Sequence, residues 1–294
     1  MQKPCVWATC LCWLLGLGGS VAAGTPAPPL EKPGWVLTFH DEFDRPQLND
    51  MYWYSAYRSG RKEYFKRIGR ESRWADHNAH YVLEDGVLKL RIDENLPFRP
   101  DKSTRCVSCI QTSDHRFGAT TAEYQILDKF AQKYGWFEIR AKCTRGSGLL
   151  NAFWLHQHDP TKQEYTPEGE RKNVGDGVVE IDIIELQGRN IHDDRSSVDI
   201  NVHFTESAHH RPEIPIDASA GFHVYAMEWQ EERVDWYVDG ELIGTYEGPT
   251  PQEKMFVLIA LFQYSGWIGE IDPETVYPRD FEIDYVRVYA REEK

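Results

Sequence analysis

The chain has 294 residues, of which 41% are apolar and 27% are charged, and its formal net charge at pH 7 is -14. This is the composition of a globular protein rather than of a disordered chain. Because the charge is strongly negative, we expect binding neither to nucleic acid nor to an anionic membrane surface.

The first 23 residues have the pattern of a secretory signal peptide. Lys3 precedes an apolar run that ends at Leu17, and small residues follow up to Ala23. A positive start, an apolar middle and a small-residue end are typical of a cleaved leader, and the run is too short to span a membrane. We therefore predict a secreted or periplasmic protein with a Pro-rich spacer at 24–34 and a single folded domain at 35–294.

Strand signals begin after the spacer. An Asp85-Gly86 turn precedes residues 87–92, which alternate apolar and polar side chains, and residues 136–142 alternate in the same way. Polar, turn-rich sequence at 160–177 and 205–220 predicts two long loops, and such loops are often functional.

Three cysteines remain after the leader, an odd number that leaves at least one of them without an intramolecular partner. Cys106 and Cys109 form a C-x-x-C pair, but no second pair and no neighbouring histidine pair supports a zinc site. We predict a structural role for them and for Cys143, either in a disulfide or as buried thiols.

The last third of the chain contains further strand signals. Asp239-Gly240 lies between two alternating stretches, which is a strong hairpin signal. Residues 256–262 are continuously apolar, as in a strand buried on both faces, and residues 281–289 alternate again. Many short strands with Gly and Asp turns predict an all-β fold, an antiparallel sandwich.

The segment from Glu180 to Glu185 is the most informative part of the sequence. Glu180 and Asp182 share one strand face because side chains alternate, whereas a regular strand sends Glu185 to the other face. A β-bulge within Ile183-Ile184 would return Glu185 to the same side. Carboxyl groups this close raise one another's pKa, and retaining glycoside hydrolysis needs one ionised and one protonated carboxyl group.

Two other interpretations of this segment stay open from the pattern alone. The strand could be an amphipathic edge strand whose acidic face is solvated. The carboxylates could instead bind a hard cation, which favours clustered oxygen ligands.

Further motifs accompany the acidic segment along the chain. They are Asp41-Glu42-Phe43, YGWFEIRAK at 134–142, AFWL at 152–155, FHVYAMEW at 222–229, VDWYVDG at 234–240 and IDYVRVY at 283–289. Together they resemble glycoside hydrolase family 16, in the bulged E-x-D-x-x-E form of laminarinases, agarases and carrageenases. The resemblance covers about residues 35–291 and implies a concanavalin-like β-jelly-roll sandwich with a concave cleft for a polysaccharide.

The resemblance also implies roles for individual residues. Glu180 corresponds to the nucleophile, Asp182 to the assisting acid and Glu185 to the general acid/base, with no cofactor needed for catalysis. Many family members hold a structural calcium ion away from the cleft, and Glu42 and Asp284 stand at positions similar to its ligands.

A sugar-binding cleft needs aromatic rings that stack on sugars and polar groups that bind hydroxyls. The candidate substrate-binding residues are Trp154, His203, Trp136, Arg140, Trp267 and Asn78. Each tryptophan could instead be a core residue, and Arg140 could pair with a carboxylate. His156 and His158 share a strand face, and with no third ligand in sight we expect a cleft wall or surface rather than a metal site.

The sequence also bears on the substrate. Typical laminarinases have Trp-Pro before the first catalytic glutamate and before A-F-W, where this chain has Gly175-Asp176 and Leu150-Asn151. We therefore predict a monomeric, secreted, retaining endo-β-glycosidase that hydrolyses β-galactosidic linkages of a galactan or a mucin- or keratan-type glycan. The alternatives are an endo-β-1,3(4)-glucanase, a transglycosylase, and a non-catalytic carbohydrate-binding lectin.

Overall fold

The computed structural model describes residues 6–7, 27–55, 80–93, 106–116, 125–157, 163–165, 171–173, 179–204 and 207–293. Regular structure in these ranges is almost entirely β-strand, with one 3₁₀ helix at Gly188–Asn190. The strands are β1 (Val6–Trp7), β2 (Trp35–Asp41), β3 (Tyr81–Glu84), β4 (Val87–Ile92), β5 (Cys106–Gln111), β6 (Ser113–Arg116), β7 (Gln125–Asp128), β8 (Gly135–Lys142), β9 (Leu149–Gln157), β10 (Gln163–Tyr165), β11 (Arg171–Asn173), β12 (Glu180–Gln187), β13 (Ser196–Ser197), β14 (Asp199–His203), β15 (Ser207–His210), β16 (Glu213–Ile214), β17 (His223–Trp229), β18 (Arg233–Val238), β19 (Glu241–Glu247), β20 (Met255–Gln263) and β21 (Arg279–Arg291). A search of the described residues for a helix long and apolar enough to cross a membrane found none.

The described strands form two large sheets that pack face to face. The nine-stranded sheet has the order β1-β19-β18-β17-β8-β21-β4-β3, with β2 also paired to β21. The six-stranded sheet has the order β15-β14-β12-β9-β20-β5, and three two-stranded pairs (β6-β7, β10-β11 and β13-β16) complete the described strands. Neighbouring strands in both large sheets run antiparallel and are often distant in sequence, which confirms the predicted all-β sandwich of jelly-roll type.

The main core lies between the two sheets and follows from strand alternation. In β8, Phe137, Ile139 and Ala141 are fully buried between the sheets, whereas Trp136 and Arg140 alternate with them and face away from this core. Complete burial of a large apolar side chain contributes about 1.5–3 kcal/mol, so these inward positions fix which face of each strand turns inward.

Two hairpins form as the sequence predicts. β3 and β4 are joined at Asp85-Gly86, where both residues have positive φ angles of 53° and 74°. β18 and β19 are joined at Asp239-Gly240, with φ angles of 50° and 85°. Positive φ at both central positions is the type I′ geometry, whose twist matches that of the strands it connects.

A second apolar cluster lies on the outer face of the six-stranded sheet. Its members are Val107, Cys109, Leu150, Ala152, Trp154, Phe256, Leu258, Ala260, Phe262, Tyr264 and Ile268. β20 is buried along its whole length because it contributes to this cluster on one face and to the main core on the other, which confirms the prediction for residues 256–262. The outer face is therefore mainly apolar over β9, β20 and β5, while its polar part lies over β12 and β14.

Both predicted loops contain short strands. β10 and β11 pair with each other inside 160–177, most of which lies outside the described residues. β15 and β16 lie inside 205–220, and β15 extends the six-stranded sheet beyond β14, so the prediction of a plain loop there is wrong. A polar strand of four residues shows too little apolar alternation to be recognised, and its pairing with β14 is what makes it a strand.

The cysteines after the leader are buried thiols and form no disulfide. Cys106 and Cys109 are three residues apart on a regular strand, so their side chains point to opposite faces of the sheet. Cys143 belongs to the main core. Of the two structural roles that the sequence allows, the structure selects buried thiols.

Candidate active site

A β-bulge in β12 brings three carboxylates to one face of the sheet. Towards β9 the register steps from Asp182 to Ile184, so Ile183 is the extra residue before Glu185 continues the ladder. Ile183 and Ile184 both enter the main core. Because the extra residue reverses the alternation, Glu180, Asp182 and Glu185 share the outer face of the sheet, as the sequence predicts. We call the surface formed by these three residues the acidic face.

The nine-stranded sheet holds the backbone of this bulge in place. The indole Nε1 of Trp236 donates a hydrogen bond of 2.8 Å to the carbonyl oxygen of Asp182, across the main core. A bulge interrupts the ladder, and a buried backbone carbonyl near it needs another donor. The fully buried Trp236 supplies that donor, a contact that links two sheets and is not visible in the local sequence.

Asn201 connects two of the three carboxylates. It lies opposite Asp182 on β14, and its Nδ2 donates to Asp182 Oδ2 at 2.8 Å and to Glu185 Oε2 at 3.2 Å. Both hydrogens of the amide are directed at carboxylate oxygens, which fixes the orientation of the amide and the position of both acids. Sequence reasoning missed Asn201, although its alternation with His203 on the next strand of the sheet was a usable signal.

His203 lies on the acidic face, where the sequence predicts it. β14 places it opposite Glu180, with Nε2 3.2 Å from Asp182 Oδ2 and Nδ1 3.0 Å from Ser207 Oγ. The hydrogen bond with Asp182 raises the pKa of His203, the charges of Asp182 and Glu180 raise it further, and burial opposes them. A protonated imidazole here partly balances the negative charge of the acids.

His156 borders Glu180 on the opposite side. β9 places it opposite Glu180, and its ring is buried beside Phe256. Nδ1 lies 2.7 Å from the carbonyl oxygen of Gln157, so Nδ1 carries the proton that is donated there. Nε2 then faces Glu180 Oε2 at 3.9 Å, which makes His156 a wall of the acidic face.

The environment of Glu185 favours its protonated form. Burial raises the pKa of Glu185 well above its ordinary value, and the charges of Asp182, Glu180 and Asp199 act in the same direction, while Arg211 opposes them. Glu185 therefore keeps its proton at a pH where an ordinary glutamate has lost it, which a general acid requires.

Two of the predicted stacking residues lie in or near this part of the sheet. Trp154 lies opposite Asp182 and so shares its face, but only 5% of the residue is exposed, and its ring packs against Phe262. Trp267 is 47% exposed, and its carbonyl oxygen accepts a hydrogen bond of 2.5 Å from Arg189, just beyond the end of β12. Trp267 is therefore the predicted stacking residue with a ring surface available to a sugar.

The structure corrects two of the predicted substrate-binding residues. Trp136 and Arg140 lie on the outer face of the nine-stranded sheet, on the far side of the sandwich from the acidic face. Trp136 contacts Lys32 Nζ at 3.7 Å, and Arg140 donates to Asp284 at 2.6 Å. Both line a pocket of about 410 Å³ beneath residues 28–33, part of the predicted spacer. Their alternation was predicted correctly, but it does not say to which sheet β8 belongs.

Asn78 and His158 lie outside the described residues. Their predicted positions in or near the cleft therefore stay predictions. The same holds for most of the leader and for Gly175-Asp176.

Glu42 and Asp284 do not fit the predicted calcium ion. Both oxygens of Glu42 accept hydrogen bonds from Arg287, at 2.9 and 2.7 Å, and Asp284 accepts one from Arg140. Each carboxylate already has a guanidinium as its counterion. The pair is also absent from the sets of three potential metal ligands that the described residues bring together.

The acidic segment also contributes to a set of potential cation ligands. Ligand atoms of Glu180, Asp182 and His203 lie within 4.8 Å of one another. Their closeness is explained by hydrogen bonds within the site, since Asp182 accepts from Asn201 and contacts His203. We therefore assign no ion to these residues.

The family model described as glycosyl hydrolases family 16 matches residues 69–287 of the chain. The chain belongs to this family. A beta-glucanase of Rhodothermus marinus is 32% identical over 88% of this chain and 86% of that protein. An endo-1,3-1,4-beta-glycanase of Rhizobium meliloti is 24% identical over 89% of this chain, which spans 53% of that protein.

A solved structure is also similar to this chain. The GlcNAcα1-4Gal releasing endo-β-galactosidase from Clostridium perfringens superposes with a TM-score of 0.70 and 28% identity, over 90% of this chain and 64% of that chain. The chain thus spans about half to two thirds of the length of several proteins that it matches. Family membership confirms the resemblance inferred from the motifs and indicates a glycoside hydrolase.

Proposed function

We propose that the chain is a secreted, endo-acting glycosidase that hydrolyses β-glycosidic bonds with retention of configuration. The observation that carries the proposal is the acidic face, on which the bulge places Glu185, a carboxyl group with a raised pKa, on the same side as Glu180. Retaining hydrolysis needs a carboxylic acid and a carboxylate side by side, and the bulge of β12 supplies both from one strand.

The roles follow from the environment of each group. Glu185 protonates the glycosidic oxygen as the bond to the leaving group breaks, and Glu180 attacks the anomeric carbon to form a glycosyl-enzyme. Glu185, now ionised, then takes a proton from the attacking water, and the bond to Glu180 breaks. Asn201, hydrogen-bonded to both Asp182 and Glu185, holds these two acids in position throughout.

A lectin is the alternative from a different functional class. A sugar-binding surface needs aromatic rings and hydrogen-bonding groups, but it gains nothing from a partly buried glutamate that is costly to ionise. The retained trio, Glu180, Asp182 and Glu185, together with the raised pKa of Glu185, therefore favours an enzyme.

For the substrate, we propose β-galactosidic linkages of a galactan or of a mucin- or keratan-type glycan. The similarity to the Clostridium perfringens endo-β-galactosidase over 90% of the chain supports this choice. The absence of the laminarinase Trp-Pro pair before AFWL supports it too. Asn151 stands in place of the proline, and its side-chain amide is hydrogen-bonded to both backbone groups of Thr144 and to the carbonyl of Leu186, contacts that a proline could not make.

An endo-β-1,3(4)-glucanase is the second candidate. The 32% identity to the Rhodothermus marinus beta-glucanase, over 86% of that protein, is the observation that favours it.

Product analysis separates these candidates. Wild-type protein is incubated with agar-type galactan, mucin O-glycans, keratan-type glycan and laminarin, and the products are resolved by size. We expect oligosaccharides from a β-galactan or a galactose-containing glycan and none from laminarin. Products from laminarin alone would establish the glucanase, and binding of a glycan without any product would establish the lectin.

The nucleophile is tested in the same assay. Glu180→Gln is expected to lower kcat by more than about a thousandfold, because the group that forms the covalent bond is lost. Glu241→Gln, at an exposed glutamate of the nine-stranded sheet, is the matched control and should retain wild-type turnover. NMR of the first-formed product should show the β-anomer; an α-anomer would contradict retention.

Sequencing the exported protein from its N-terminus tests the leader, with cleavage expected after Ala22 or Ala23.

A further inference from the structure

A fourth carboxylate lies beside the acidic face. Asp199 is the cross-strand neighbour of Glu185, and only 1% of its side chain is exposed. Directly opposed side chains on one face of an antiparallel pair have Cβ atoms about 4.5–5.5 Å apart. Asp199 therefore approaches Glu185 from β14, on the side away from β9.

The contacts of Asp199 suit a carboxylate that accepts hydrogen bonds at both oxygens. Its Oδ1 accepts from His209 Nε2 at 2.6 Å and from Arg211 Nε at 2.5 Å, and its Oδ2 accepts from Gln187 Nε2 at 3.2 Å. An ionised carboxylate only accepts hydrogen bonds, whereas a protonated one carries an O–H group that would itself need an acceptor. Arg211 is also a cation at every accessible pH, so the charge of Asp199 always has a counterion.

The charged groups around Glu185 come from three strands and the chain that follows β15. They are Glu180 and Asp182 on its own strand, Asp199 and His203 on β14, His209 on β15, and Arg211 directly after β15. β9 contributes the uncharged Ala152 opposite Glu185. Glu185 therefore lies among three negative groups, and Arg211, the permanent cation that acts on it among the described residues, is bound to Asp199 rather than to Glu185.

We propose that Asp199 is a positioning residue whose fixed negative charge keeps the Glu185 carboxyl protonated before bond cleavage. The inference rests on the proposed function, since it concerns the general acid of that reaction. Two neighbouring carboxyl groups avoid repulsion when one of them holds a proton, and the three donors on Asp199 direct that proton to Glu185.

The same arrangement serves both halves of the reaction. In the first half, the proton of Glu185 passes to the glycosidic oxygen as the leaving sugar departs. In the second half, Glu185 takes a proton from water, and the nearby charge of Asp199 makes it a stronger base. The proton returns to Glu185, so the residue is reset for the next cycle.

Two substitutions are expected to act in opposite directions. Asp199→Asn removes the negative charge and leaves Arg211 uncompensated, so Glu185 loses its proton at lower pH than in the wild type. Arg211→Gln leaves the charge of Asp199 unbalanced, so Glu185 keeps its proton to higher pH. If Asp199 and Arg211 had only a structural role, both variants would be less stable, and the pH at which Glu185 loses its proton would not move in opposite directions.

The kinetic test is the pH profile of kcat/KM on an unactivated glycan. We expect the basic limb to move to lower pH in Asp199→Asn and to higher pH in Arg211→Gln. For each pH unit of downward movement, activity above the limb falls about tenfold. The leaving group of an activated aryl glycoside needs no proton. On such a substrate the first half-reaction of Asp199→Asn should therefore lose much less activity than it does on the unactivated glycan. Basic limbs that stay at the wild-type pH in both variants would overturn the proposal.

A second readout does not depend on turnover. The side-chain carboxyl of Glu185 is titrated by ¹³C NMR in wild type, Asp199→Asn and Arg211→Gln, with its signal assigned by its loss in Glu185→Gln. Midpoints that move down and up respectively support the proposal even if the substrate is misassigned, and an unmoved midpoint refutes it. An inactive wild type with moving midpoints would instead refute the proposed function alone. If Asp199→Asn fails to fold, the direction of the Arg211→Gln shift decides.

Discussion

Replacement of Trp236 by phenylalanine tests how the sandwich holds the bulge. The change removes the donor to the Asp182 carbonyl, a hydrogen bond of 2.8 Å that crosses the main core. It also replaces a fully buried indole by a smaller ring. The expected result is a loss of both stability and turnover, because the bulge sets the position of Glu185.

The magnitude follows from these two losses. A buried carbonyl left without a donor costs about 1–3 kcal/mol. The void left by the smaller ring costs at least as much as an Ile→Val change, about 0.5–1.5 kcal/mol. The sum is about 1.5–4.5 kcal/mol, which for a domain of this size lowers Tm by about 3–18 °C. A displacement of Glu185 by about 1 Å would lower kcat by up to about a hundredfold.

A matched control separates the effect on the bulge from general core damage. Trp229 is also fully buried in the main core, and its indole donates to Thr250 Oγ1 at 3.1 Å, away from β12. Trp229→Phe is therefore expected to lower Tm by a similar amount while kcat stays within about twofold of the wild type.

The assay is thermal unfolding followed by circular dichroism, combined with kcat on the best glycan substrate. Trp236→Phe with wild-type kcat would show that the bulge holds its shape without the indole and would refute the reasoning. Equal losses of kcat in Trp236→Phe and Trp229→Phe would refute it as well, since the effect would then not be specific to the bulge.

Three further predictions follow from the site and the core. Because the folded-state pKa of Glu185 is raised, the protein loses stability as the pH rises from the ordinary glutamate pKa through the raised value, by about 1.4 kcal/mol for each unit of pKa shift. Glu185→Gln, measured by calorimetry, should therefore have a higher Tm than wild type at pH 8 and an equal Tm near pH 4. Trp267→Ala should raise KM by about tenfold through the loss of a stacking ring, whereas Trp136→Ala on the opposite sheet should leave KM within about twofold. Burial raises the pKa of Cys106 to about 11 and that of Cys143 to about 12, so neither should react with a thiol reagent at pH 8 until the protein unfolds; rapid labelling of the native protein would contradict this.

Local sequence was enough to predict most of the longer strands, two of the turns and the bulge. Alternation of apolar and polar residues has a period of two in any strand, and Asp-Gly pairs adopt positive φ angles at little cost, so both signals are local. The odd spacing of Glu180, Asp182 and Glu185 required one extra residue, and the register of β12 against β9 contains it. The three carboxylates on one face and the family were therefore available before the fold.

The neighbours of these acids could not be predicted in this way. Asp199 and Asn201 are 14 and 19 residues from Glu185 and Asp182 respectively, and their contacts exist because β14 pairs with β12 in one register. Their polarity fits an exposed strand equally well. The charge environment that keeps Glu185 protonated is thus a property of strand pairing.

The sandwich also decided which face of the molecule each outward residue belongs to. By itself the sequence determined that Trp136 and Arg140 share a strand face, and that Glu180, Asp182 and Glu185 share another. Only the tertiary structure put the first pair on the nine-stranded sheet and the trio on the six-stranded sheet. The physical reason is that both sheets turn one apolar face to a common core, so alternation distinguishes inside from outside but not one outside from the other.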